Sequence, residues 1–202
     1  VYAYAHLPQM FKPQKQIKVE DLATPETRLQ LLELTIDKLS AAGYIYIGMD
    51  HFALPEDELV LAQESGTMYR NFQGYSTRGY CDLVGLGVSS IGKVGDHYIQ
   101  NLKTLPEYYG AIDRGELPVH RGYTMTRDDV IRRDVIQQIM CYGVLDFDAT
   151  AKRHDIDFRR YFASELVALE PMVADGLAEF AEPGLRVLPA GRLLLRHLAM
   201  AF

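Results

Sequence analysis

Residues 43–59, GYIYIGMDHFALPEDEL, constrain this chain more than any other stretch. Tyr44–Met49 is a run of strand formers and predicts a β-strand. The run breaks into Asp50 and His51, then an aromatic, Phe52, and a helix predicted from Pro55 to about Glu64. Titratable residues at the point where a buried strand leaves its sheet are where α/β enzymes place their chemistry. Residues 70–79, RNFQGYSTRG, are polar and aromatic, with few side chains able to build a core. Together the two stretches point to an α/β enzyme.

The flanking pattern extends that reading. Residues 1–7 predict a strand and residues 11–22 a loop. Thr24-Pro25-Glu26 opens a helix, with Thr able to cap and Pro suited to the first turn. Leu29, Leu32, Ile36 and Leu39 recur at helical spacing as its buried stripe, and Gly43 ends it. Strand, helix, strand suggests a parallel βαβ unit. Residues 82–91, DLVGLGVSSI, predict a further buried segment, residues 105–114 a helix, and residues 116–125 a linker. The character then changes, which places a boundary near residue 126 between regions 1–125 and 126–202. Helices are predicted over 128–142, 148–152 and 158–174. A hairpin of strands 177–181 and 185–188 turns at Pro183-Gly184, and a last helix spans 190–201. Three helices, a hairpin and a helix predict a winged-helix-like α+β domain.

Bulk properties narrow the function. Among 202 residues the formal net charge is −6, which argues against broad nucleic-acid or anionic-membrane binding. The two cysteines, Cys81 and Cys141, show no metal-binding spacing and suit a reducing cytoplasm. No apolar run approaches a membrane span, and no signal peptide is visible. The chain starts on strand-like residues without Met, from which we expect a longer protein whose N-terminal part is missing here. An open sheet edge at residues 1–7 would invite dimerisation or strand exchange.

Each motif has a plain structural reading beside the functional one. Gly85-Leu86-Gly87 matches a dinucleotide fingerprint only in its first two glycines, with Ser90 where the third belongs. A glycine backbone lying against an adenosyl-like ligand and tight strand packing both fit. Asp50 and His51 suit an acid–base or metal pair, or a hydrogen-bonded pair without chemistry of its own. No other histidine has ligand spacing with them, so no metal site is predicted. Arg70, Asn71 and Gln73 among Tyr69, Phe72 and Tyr75 suit a planar acidic ligand, since a guanidinium forks onto a carboxylate while rings stack. A solvated loop fits the same letters. Arg159 and Arg160 would belong to a winged helix's recognition helix, but Glu165 and Glu170 follow, and nucleic acid is not the expected partner.

Tyr4–Pro8 (YAHLP), GYIYIGMDHFALPEDEL, Tyr69–Gly79, Asp82–Gly92 and Thr126–Ile136 resemble oxygen-independent coproporphyrinogen III oxidase, a radical S-adenosylmethionine (SAM) family of haem biosynthesis. The likeness runs through the final GRLLLRHLAMAF. It implies an α/β fold in which residues 1–125 are the C-terminal part of a partial (β/α) radical-SAM barrel, followed by the winged-helix-like domain. It implies oxidative decarboxylation of two propionates of coproporphyrinogen III to vinyl groups, giving protoporphyrinogen IX by a 5′-deoxyadenosyl radical. It also implies SAM and a [4Fe–4S] cluster, an electron donor and a cytoplasmic setting. The cluster's three-cysteine motif is absent from this chain, so the chain alone is expected to be inactive. By the resemblance Ala5 and Ile91 contact SAM, and Tyr2 stands where the family carries Phe. Arg70, Asn71, Asp50 and His51 are placed on the substrate side by our own reading of their chemistry, with Arg70 facing a propionate.

Two other readings compete: a winged-helix binding module without catalysis, and a metal-dependent barrel hydrolase using Asp50 and His51. A CxxxCxxC ahead of Val1 separates the first reading from both.

Overall fold

A computed structural model describes residues 1 and 4–202. Tyr2 and Ala3 lie outside the described residues, so the expected SAM contact at Tyr2 does too. The chain is a mixed α/β structure in which, among the described residues, every strand pairing is antiparallel.

The start differs from expectation. Residues 4–7 form no strand. Gln14 instead takes the N–H of Leu7 and donates to the carbonyl of Ala5, and Pro8 has no N–H to offer a ladder. No strand edge for dimerisation therefore exists at 4–7. The expected loop 11–22 contains two short 3-10 turns, Lys12–Gln16 and Val19–Asp21.

Helix α1, Pro25–Ala41, starts where predicted, with the Thr24 hydroxyl accepting from Thr27 N–H at 3.2 Å. Its stripe is only half-covered: Leu32, Ile36 and Leu39 are half-buried and Leu29 is exposed. Strand β1, Ile45–Gly48, follows, but no parallel βαβ unit forms. The reason lies in the turn at Met49, whose φ of 56° is left-handed for a non-glycine residue. That turn folds the chain back as β2, His51–Ala53, antiparallel to β1. Asp50 and His51 therefore sit at a hairpin tip, not at a strand-to-helix exit. Helix α2, Glu58–Glu64, comes next, capped by Asp57.

A second hairpin pairs β3, Tyr69–Asn71, with β4, Gly74–Ser76. Residues 82–90 are not a buried strand: Val84 and Leu86 are 70% and 82% exposed. They form a loop pinned by buried Asn101, whose amide donates to the carbonyls of Gly85 and Gly87, each at 2.9 Å. A three-stranded sheet then orders β5 (Ile91–Val94), β6 (His97–Asn101) and β7 (Val119–Thr124), with α3, Leu105–Asp113, between β6 and β7. The expected linker 116–125 is thus mostly a strand.

Beyond it lies α4, Arg127–Tyr142, with a capping box between Thr126 and Asp129 and Gly143 ending it in the left-handed region. Strand β8 (Val144–Asp146), α5 (Phe147–His154), α6 (Phe158–Tyr161) and α7 (Ala163–Ala174) follow. The single helix expected over 158–174 is broken at Phe162, which turns inward and is fully buried. The predicted hairpin is β9 (Ala178–Ala181) with β10 (Gly184–Val187), and β10 also pairs with β8. The last helix is likewise two pieces, α8 (Pro189–Arg192) and α9 (Leu195–Ala199).

Two apolar cores result. The larger gathers Ile131, Val135, Ile139, Leu145, Phe162, Leu169, Leu185 and Leu198. The smaller joins Ile47, Ala53, Val60, Ala62 and Met68 to Cys141 of α4. Helix α4 serves both cores, and this fixes the first hairpins against the C-terminal region.

Candidate functional site

The residues of β3 and its turn open into a cleft of about 550 Å³. Its aromatic wall is Tyr69, Phe72 and Tyr98, with Phe72 set edge-on to Tyr98 at 5.5 Å between centroids. Arg70, Arg78, Lys93 and Arg196 also line it, against one carboxylate, Asp82. The volume falls in the range of small-molecule sites, and the charge suits an anion with a flat apolar body.

Arg70 is held by its backbone. Gln137 of α4 accepts from the Arg70 N–H at 2.9 Å and donates to the Arg70 carbonyl at 2.6 Å. Its guanidinium lies over the Tyr75 ring, 5.6 Å from the centroid. The Nε of Arg70 is buried and has no partner among the described residues. Buried donors are seldom left so. Asn71 lines the same cleft, but its Oδ1 accepts from Gln73 N–H at 2.8 Å and so shapes the turn.

Asp50 and His51 face a different hollow, of about 360 Å³, with Leu39, Tyr44 and Phe52. His51 Nδ1 and Asp50 Oδ1 are 2.6 Å apart. The two sites meet at Tyr75. His51 stands edge-on to its ring at 5.0 Å, while Arg70 covers the ring and the Tyr75 hydroxyl donates to the Met140 carbonyl at 2.9 Å. Burial pushes the Tyr75 phenol up, the nearby Cys141 adds to this, and Arg70 opposes it. Two glycines permit the approach. A Cβ at Gly74 would come within 2.7 Å of His51 Nε2, and one at Gly48 within 2.7 Å of the Tyr75 hydroxyl.

Of the residues expected at SAM, Ala5 is exposed and Ile91 is half-buried, and neither lines a cleft described here. Ile91 lies two residues from Lys93 on β5 and so shares its face. Sequence reasoning missed Lys93, Tyr98, Arg196 and Gln137. A lysine in a strand and an arginine in LLLRHLAM read as solvated positions, and only the fold brings them to Arg70. Arg78 lay inside a quoted motif, but no role was read for it.

The fold and cleft define a mixed α/β protein with a cleft lined by aromatic and cationic side chains. Residues 125–194 match the HemN C-terminal domain. The whole chain is 50% identical to an oxygen-independent coproporphyrinogen III oxidase of Pseudomonas aeruginosa and 48% identical to that of Escherichia coli, covering 44% of each relative. A solved structure, described as coproporphyrinogen III oxidase (HemN) from Escherichia coli and as a radical SAM enzyme, superposes with a TM-score of 0.92 at 47% identity. That match covers 98% of this chain and 46% of the other. The resemblance read from the sequence is thus shown: the chain is similar along its length to the C-terminal part of oxygen-independent coproporphyrinogen III oxidases. It spans less than half the length of these curated relatives.

Proposed function

We propose that this chain is the C-terminal part of an oxygen-independent coproporphyrinogen III oxidase. That enzyme oxidatively decarboxylates two propionates of coproporphyrinogen III to vinyl groups, yielding protoporphyrinogen IX in haem biosynthesis. The observation carrying this reading is 50% identity over all 202 residues to such an oxidase, reinforced by the matching fold. Each converted propionate loses a hydrogen from its β-carbon and its carboxyl group as CO₂.

When bound, SAM and a [4Fe–4S] cluster would supply the radical chemistry. Such clusters are held by several cysteine thiolates. Here Cys81 is exposed and Cys141 is buried, and no group of three His, Cys, Asp or Glu among the described residues could hold a metal ion. The residues present do not fit a cluster. The proposed enzyme would hold it, and receive its electron, through other segments, and this chain alone is expected to be inactive. Ala5 and Ile91 are proposed to contact SAM on the strength of the family resemblance.

What this chain contributes is position. Arg70 would take a substrate carboxylate, with its place in the lining of the cleft as the supporting feature. Asn71 shapes the turn beside it. Asp50 and His51 would act on the substrate side at one remove, His51 holding the Tyr75 ring over which the Arg70 guanidinium lies.

The regions 1–125 and 126–202 are proposed as parts of the barrel and a winged-helix-like domain. The family match over 125–194 and the order α4, β8, α5, α6, α7, β9, β10 support the second. Among the described residues no helix is long and apolar enough to cross a membrane. A cytoplasmic setting is our reading of the two free cysteines.

Arg70→Ala in the full-length enzyme tests the site. We expect weaker coproporphyrinogen binding with SAM cleavage continuing uncoupled, and an unchanged affinity would reject the role.

A further inference from the structure

We infer that the cleft anchors the propionates that the reaction leaves intact, and that Arg78, Lys93 and Arg196 join Arg70 in doing so. This rests on the function just proposed.

The four cations come from separate places in the chain: Arg70 on β3, Arg78 after β4, Lys93 on β5 and Arg196 on α9. They meet around one cleft. Among the described residues none of the four forms an ion pair, which leaves four cations around the cleft free to meet an anion. The cleft's one carboxylate, Asp82, already accepts from the Gly95 N–H at 2.8 Å. The Arg78 guanidinium makes one long contact, 3.4 Å, to the Tyr80 hydroxyl. The site is therefore short of negative charge.

The chemistry decides which carboxylates supply it. A carboxylate that departs as CO₂ loses its charge on the way. A cation gripping it stabilises the ground state more than the transition state and slows the step. Cations are useful on carboxylates that keep their charge throughout, and coproporphyrinogen carries two of these beside the two that react. The aromatic wall of Tyr69, Phe72 and Tyr98 would lie along the tetrapyrrole between them.

The test is a fluorescence titration of the 202-residue chain with coproporphyrin III, which has four carboxylates, and mesoporphyrin IX, which has two. The tetramethyl ester of coproporphyrin III is the uncharged control. Arg196→Gln and Lys93→Gln are each expected to weaken both acids by the same factor, about 3- to 10-fold, and to leave the ester unchanged. Loss of coproporphyrin III binding alone would overturn the inference, because the cations would then hold the reacting carboxylates. Unchanged binding of both acids, with Arg70→Ala still weakening them, would overturn it and leave the proposed site standing. If the wild-type chain binds neither acid, the proposed site falls and the inference falls with it. Circular dichroism of each variant guards against misfolding.

Discussion

Replacing Gln137 by Leu should loosen Arg70 without touching any charge. The Gln137 amide makes two hydrogen bonds to the Arg70 backbone, at 2.9 and 2.6 Å. A neutral pair of this kind contributes about 1 kcal/mol net, and a partly buried group left without a partner costs about 1 kcal/mol or more. Leucine is close in volume, so cavity cost is small, and the sum is about 2–3 kcal/mol. For a chain of this length that lowers the thermal midpoint by about 4–12 °C, read by circular dichroism or calorimetry. A Leu variant within about 0.5 kcal/mol of wild type would refute the clamp.

Two further outcomes follow from the same structure. Cys141 is buried, and this pushes its thiol up to about 12, with Arg70 opposing. Cys81 is exposed. A thiol reagent at pH 8 should label one site promptly and the other only on unfolding, and equal native rates would contradict the smaller core. In the C-terminal region, the Tyr161 hydroxyl and Arg132 hold the Asp128 carboxyl below its usual range, and Ser164 and Arg132 outweigh burial to lower Glu165. Depressed carboxyls stabilise the fold above the ordinary carboxylate range and lose that contribution as pH falls through their lowered values. The thermal midpoint should hold from pH 8 to about 5 and drop below about 4, and a midpoint that rises on acidification would contradict this.

The sequence carried local structure well where a short signal sets it. The Thr24-Pro25 start, the helix ending at Tyr142 and the Pro183-Gly184 hairpin fall where expected. It misled where a long-range partner decides. Strand-like Tyr44–Met49 invited a parallel neighbour, but the left-handed Met49 sends the chain back on itself. Small, apolar 82–91 looked buried, yet Asn101 holds it as a surface loop. At the site, Arg70 was legible from its aromatic setting. Arg196, 126 residues further along the chain, carries no local mark, because only the packing of α9 against α4 brings it there.

The most direct measurement is a chimera. This chain would replace the matching segment of the Escherichia coli oxidase, to which it is 48% identical. Anaerobic assay with coproporphyrinogen III, SAM and a reductant should show conversion to protoporphyrinogen IX. A folded chimera that holds its cluster and cleaves SAM, yet neither binds nor converts coproporphyrinogen III, would contradict the account.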